Sequence, residues 1–134
     1  MMNEEALVLQ ILVVDDDPTY RLVLTTAMRN SGHIVEACCN GSEAVAILKE
    51  KRFDLILLDY MMPGISDINL LQWMYGMRLN TPAILITEHG SEEIATEAWK
   101  WGAIDYFIKG QADITLLPNL VLRAYQEKKK QPLD

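Results

Sequence analysis

The residues best suited to chemistry stand where compact runs of the chain stop. Asp15, Asp16 and Asp17 follow Q-I-L-V-V, Asp59 follows L-I-L-L, Thr87 follows A-I-L-I, and Lys109 follows I-D-Y-F-I. Carboxylates gathered within a few ångströms repel one another and take up protons unless a cation joins them. An oxygen-rich set of this kind suits Mg²⁺, which keeps waters and accepts one or two carboxylates together with phosphate oxygens. Lys109 adds a compact positive charge able to pair with a phosphate oxygen, and Thr87 adds a hydroxyl donor. Together they would hold a dianion that an acidic cluster alone would reject. Asp59, at the end of the central apolar run, is the candidate nucleophile for an aspartyl phosphate.

These residues meet only if the runs lie side by side and point the same way. Gln10 to Val14 reads as a first strand, and Asp17-Pro18 reads as the cap and first residue of a helix. Tyr20, Leu24, Ala27 and Met28 share one face of that helix, and Gly32 ends it. Ile34 to Cys38 follows as a strand, with Asn40-Gly41 read as a turn. Ala44, Ile47 and Leu48 mark a second helix. Leu55 to Leu58 is a third strand ending at Asp59, and Met62-Pro63-Gly64 breaks it. Ile68, Leu71 and Met74 mark a third helix. Ala83 to Ile86 is a fourth strand closing at Thr87. Ser91 is expected to cap a fourth helix that carries Glu92 and Glu93 in its first turn and stops at Gly102. Ile104 to Ile108 is a fifth strand, and Pro118 opens a last helix through Lys130. Strand and helix thus alternate five times. Strands apolar throughout are buried on both faces, as in a parallel sheet covered by helices. The expectation is an α/β fold, a doubly wound five-stranded parallel sheet with helices on both faces. Ligands bind such sheets at the carboxyl ends of the strands, where the polar residues collect.

The chain of 134 residues suits one domain, with its core at about residues 10–130. Half of it is apolar, which excludes a disordered chain. Twelve basic against nineteen acidic residues give a net charge of −7, so direct nucleic-acid binding is not expected. No run of 18 apolar residues suggests a membrane span, and Met1 to Gln10 does not read as a signal peptide. Cys38 and Cys39 are adjacent and read as reduced thiols of a cytoplasmic protein. His33 and His89 lie far apart and suggest no zinc pair, and no phosphate-cradling glycine loop occurs.

The chain resembles the receiver domain of two-component response regulators from Ile11 to about Ala124. The strings are I-L-V-V-D-D-D-P-x-x-R, N-G-x-E-A, D-L-I-L-L-D-Y-M-M-P-G, P-A-I-L-I-T and G-A-I-D-Y-F-I-K, specific in their order and spacing. The resemblance implies a flavodoxin-like receiver fold and a phosphorylated switch rather than an enzyme, assisting its own phosphorylation and dephosphorylation. Its partner would be a histidine kinase or histidine phosphotransfer protein, and its cofactor Mg²⁺. Asp59 would be the phosphoacceptor. Asp16 would ligate the metal directly, Asp15 largely through water, and Met61 through its carbonyl. Thr87 would bond the phosphoryl group, Lys109 would pair with it, and Tyr106 would follow Thr87 in the switch. Asp17 reads better as a helix cap. The face formed by the fourth helix, fifth strand and fifth helix would change on phosphorylation and could form a homodimer. Trp99 lies partly outside the core stripe of Ile94, Ala95, Ala98 and Trp101, and is either an anchor on that face or a half-buried aromatic.

Three positions depart from the family pattern. Glu88 replaces a small residue after Thr87 and would either repel a phosphodonor or point to solvent. Gly110 replaces a proline after Lys109, which puts the loop geometry in question. Asp67 replaces a glycine just inside the third helix, where an acid near the N-terminus is favourable. Two alternatives stand beside the main reading. One is a receiver-like binding module that no longer uses phosphate. The other is a haloacid-dehalogenase-like phosphohydrolase, for which Asp15-x-Asp17 matches the D-x-D pattern. The basic helical exit R-A-Y-Q-E-K-K-K-Q, with K-G-Q after the fifth strand, resembles receivers that lead into further modules, so the chain is also read as a possible fragment of a longer protein.

Overall fold

The computed structural model describes residues 7–59, 67–88, 92–110 and 113–129. Five strands, β1 (Gln10–Val14), β2 (Ile34–Cys38), β3 (Leu55–Asp59), β4 (Ala83–Thr87) and β5 (Ala103–Ile108), alternate with five helices. These are α1 (Pro18–Asn30), α2 (Gly41–Glu50), α3 (Asp67–Gly76), α4 (Glu92–Lys100) and α5 (Leu117–Lys129). All strand pairs are parallel, in the order β2-β1-β3-β4-β5. The expected doubly wound sheet is therefore present.

The alternation of strand side chains sorts the core into two layers. Leu12, Val14, Ile56, Leu58 and Leu85 face α2, α3 and α4, where Ala44, Leu48, Leu70, Leu71, Met74 and Ala98 meet them. Ile11, Val13, Leu55, Leu57, Ile84 and Ile86 face α1 and α5, against Leu24, Met28, Leu117, Val121 and Ala124. β3 and β4 are buried at every residue. Each fully buried Leu, Ile or Val contributes about 1.5–3 kcal/mol from burial. The strand ends are held rigidly as a result.

Local signals explain most boundaries. Asp17 caps α1 by accepting from the Thr19 amide at 3.0 Å, with Pro18 at the first helical position. Gly32, at φ +92°, turns the chain out of α1 in a conformation that side chains with a Cβ rarely adopt. The Asn40-Gly41 pair is not a free turn. Asn40 caps α2 by accepting from the Glu43 amide at 2.8 Å, and Gly41 is the first helical residue. β5 starts one residue earlier than expected, with a register shift between Ala83 and Ile84 of β4. A short 3-10 turn (Ile114–Leu116), capped by Asp113, precedes α5. The Met62-Pro63-Gly64 break, the Ser91 cap and Lys130 lie outside the described residues, as do the Glu92 and Ile94 side chains.

Candidate functional site

The strand order reverses between β1 and β3, whose carboxyl ends flank the crevice where such sheets bind ligands. Val14 pairs with Leu58, so Asp15 and Asp59 leave the sheet side by side. The turn from β1 into α1 fixes the first carboxylate. The Asp15 amide donates to the Cys38 carbonyl at 3.1 Å, and its Oδ1 accepts from the Asp17 amide at 2.9 Å. The Arg21 guanidinium donates to the Asp15 carbonyl at 2.9 Å. On the far side, the Lys109 amide donates to the Thr87 carbonyl at 2.7 Å, tying the end of β5 to the end of β4.

Asp15 is 0% exposed, Asp59 4% and Thr87 1%. Asp15, Asp16 and Asp59 each offer a carboxylate oxygen, and these atoms lie within 4.8 Å of one another. The Lys109 ammonium sits between two of them, 3.2 Å from Asp15 Oδ2 and 3.1 Å from Asp59 Oδ1. Its approach to Asp15 Oδ2 is an ion pair, and among the described residues that buried oxygen has no hydrogen-bond partner. Burial and the neighbouring Asp15 charge push the Asp59 carboxyl up to about 7, although Lys109 works against the rise. For Lys109, burial favours the neutral amine, but Asp15 and Asp59 prevail and hold its pKa above the ordinary value. One ammonium thus serves a group of carboxylates it cannot neutralise.

The arrangement fits a small divalent cation. Oxygens around Mg²⁺ at about 2.1 Å stand roughly 3–4 Å apart, close to the spacing of the triad. Asp15 belongs to this cluster, and a cation there would oppose the burial and repulsion that raise Asp59.

The fold brings Asp15, Asp16, Asp59 and Lys109 together and places Thr87, at the end of β4, on the neighbouring strand. Tyr106 is half-buried against the layer that contains Leu85, and its ring meets Trp99 edge-on at 6.3 Å. Trp99 is 52% exposed, outside the stripe of Ala95 and Ala98, as its position suggested. Trp101 packs on the core layer and donates to Glu97 at 3.2 Å. Glu88 is exposed. Gly110 takes φ +78°, and no peptide among the described residues is cis. The loop after Lys109 thus turns through a left-handed glycine. Asp17, occupied as the α1 cap, is absent from the acidic cluster, which removes the second carboxylate of a D-x-D hydrolase site. Met61 and His89 lie outside the described residues.

Two contributors were not singled out from sequence. Arg21 anchors the Asp15 carbonyl, and the Tyr20 ring lies under the Lys109 ammonium at 4.5 Å from its centroid. Spacing placed Tyr20 on the core face of α1, but nothing local shows that the end of β5 arrives above it.

Residues 11–120 match the model of the response regulator receiver domain. The chain belongs to this family. The receiver is 38% identical over 101 residues to the transcriptional regulatory protein ZraR of Salmonella typhimurium, covering 75% of this chain and 23% of that protein. It therefore spans less than a quarter of that relative's length. It is 33% identical over 109 residues to sporulation initiation phosphotransferase F of Bacillus subtilis, covering 81% of this chain and 84% of that protein. Among solved structures it resembles the receiver domain of Francisella response regulator 1452, with a TM-score of 0.82 and 29% identity, covering 89% and 98% of the two chains. A receiver is a signalling switch of two-component systems. No helix among the described residues is long and apolar enough to cross a membrane.

Proposed function

We propose that this receiver accepts a phosphoryl group on Asp59 from a phosphohistidine of a histidine kinase or histidine phosphotransfer protein. The observation that carries the reading is the buried Asp59 carboxylate, 3.1 Å from Lys109 and clustered with Asp15 and Asp16. A relative named as a phosphotransferase supports the same chemistry. An Asp59 oxygen forms the new O–P bond as the donor's P–N bond breaks, and the electron pair leaves with the imidazole nitrogen. Asp15, Asp16 and Asp59, with the Met61 carbonyl, would hold Mg²⁺. When bound, the metal supplies positive charge to the phosphoryl oxygens. Lys109 pairs with one of those oxygens, and the Thr87 hydroxyl donates to another.

Phosphorylation adds about −1.5 to −2 charges and three acceptor oxygens. Moving Thr87 toward them makes room for Tyr106 to turn inward, which changes the α4-β5-α5 face where Trp99 meets Tyr106. A shift from 1:99 to 99:1 needs about 5.5 kcal/mol of differential interaction. Hydrogen bonds to charged groups contribute about 1.5–3 kcal/mol each, so two to four suffice.

The test is incubation with Mg²⁺ and a phosphorylated histidine kinase or a small acyl phosphate. The parent chain is expected to take up one hydroxylamine-labile phosphoryl group, and Asp59→Ala none. Full labelling of Asp59→Ala would overturn the assignment.

A further inference from the structure

We propose that Tyr20 is a positioning residue for Lys109, holding its ammonium over the phosphoacceptor through the face of its ring. The inference rests on the phosphoryl-acceptor reading of Asp59 and adds a residue to that site. The Lys109 ammonium pairs with Asp15 and Asp59, at 3.2 and 3.1 Å, and the Tyr20 ring lies against it at 4.5 Å from its centroid. A ring face attracts a cation through its quadrupole, and more strongly where water is excluded. The Lys109 side chain is only 7% exposed, so this contact is largely desolvated.

The two sides of the contact differ in stiffness. Tyr20 sits in the first turn of α1, whose start is set by the Asp17 cap and Pro18, and it packs on the α1/α5 core layer. Lys109 has a flexible four-carbon stem and precedes Gly110, which has no Cβ and stands at φ +78°. The brace on the ammonium, apart from the two carboxylates, comes from the α1 ring. It also differs from the two carboxylates in carrying no formal charge. When a phosphoryl group joins Asp59, Lys109 must lean from the carboxylates toward the phosphoryl oxygens. A ring face lets it do so while still blocking its retreat into water.

Two measurements on the full chain test this. Ring current should move the Lys109 ε-methylene protons upfield in the parent and in Tyr20→Phe, and Tyr20→Leu should return them to the ordinary lysine position. With Mg²⁺ and acetyl phosphate, Tyr20→Leu should slow labelling of Asp59 by roughly 2- to 30-fold, the range of a cation–π contact. Tyr20→Phe should stay within about twofold of the parent, since the ring face carries the attraction rather than the hydroxyl. In a Lys109→Ala background the Tyr20→Leu effect should vanish, because the ring acts through the lysine. An unshifted ε-methylene in the parent, or an equal slowing by Tyr20→Leu with and without Lys109, overturns the proposal. A parent that takes no label overturns the phosphoryl-acceptor reading instead. The ε-methylene shift needs no phosphodonor and still decides the contact.

Discussion

The two ends of this one sheet handle buried polar groups in opposite ways. At the amino ends of the strands, each group finds a neutral or single-charge partner. The Leu9 amide donates to His33 Nδ1 at 3.0 Å, and the Ile34 amide to the Leu9 carbonyl at 2.9 Å. At the surface, Gln10 and Asp54 exchange two bonds, amide to carboxylate at 2.8 Å and amide to carbonyl at 2.7 Å. At the carboxyl ends, Asp15 and Asp59 share one ammonium with Asp16 beside them, and a buried carboxylate oxygen has no hydrogen bond among the described residues. Folding alone favours the first arrangement, since buried charges that repel cost stability. The carboxyl end keeps an unresolved charge that only an added cation and anion can settle. The contrast separates the end that stabilises the fold from the end built for a ligand.

The largest expected effect comes from relieving the crowded end. In the absence of divalent cations, Asp59→Asn should raise the melting temperature by several degrees at pH 8. It removes the carboxyl whose ionisation burial and Asp15 oppose, and Asp15 still pairs with Lys109 at 3.2 Å. A lower melting temperature would mean that the Asp59–Lys109 attraction outweighs the repulsion, and the contrast between the ends would collapse. The next effect sharpens the same point. Mg²⁺ should stabilise the parent, by about 1.4 kcal/mol at ten times its Kd. Asp16→Asn should shrink that gain at a fixed Mg²⁺ concentration, because Asp16 belongs to the triad. Urea unfolding with and without Mg²⁺ reads both. A parent indifferent to Mg²⁺ would rule out the triad as its site.

The carboxyl-end half of this contrast is legible in the sequence. Apolar runs at β3 and β4 told which strands are buried on both faces, and their polar last residues told which end gathers chemistry. Asp17-Pro18 told where α1 begins, because a cap and a proline act within a few residues. Legibility failed where the cause was distant or ambiguous. Asn40-Gly41 suits both a turn and a helix start, and only the hydrogen bond to the Glu43 amide decides it. The short turn before α5 has too few residues for a periodic signal. The Tyr20–Lys109 contact joins residues 20 and 109, and parallel crossovers rather than spacing bring them together. Gly110 signalled a departure from the family pattern, but its left-handed turn could be read only from the backbone.

The smallest effect probes the amino end through pH. His33 is buried, and burial holds its pKa below the ordinary value. Its Nδ1 accepts from the Leu9 amide, so the imidazolium would set an N–H against an N–H. The unfolded chain therefore binds this proton more readily than the folded one, and stability rises with pH between the two pKa values. The contribution is fully present above about 6.5, the unfolded value, and is lost as pH falls from there toward the depressed folded value. The parent's melting temperature should accordingly drop between about pH 7 and 5 by more than that of His33→Asn, whose side-chain oxygen can accept from the same amide and does not titrate. The comparison is of slopes, so any packing loss in the variant cancels. Equal slopes would show that His33 releases its amide at little cost, and that the amino end holds less tightly than its hydrogen bonds suggest.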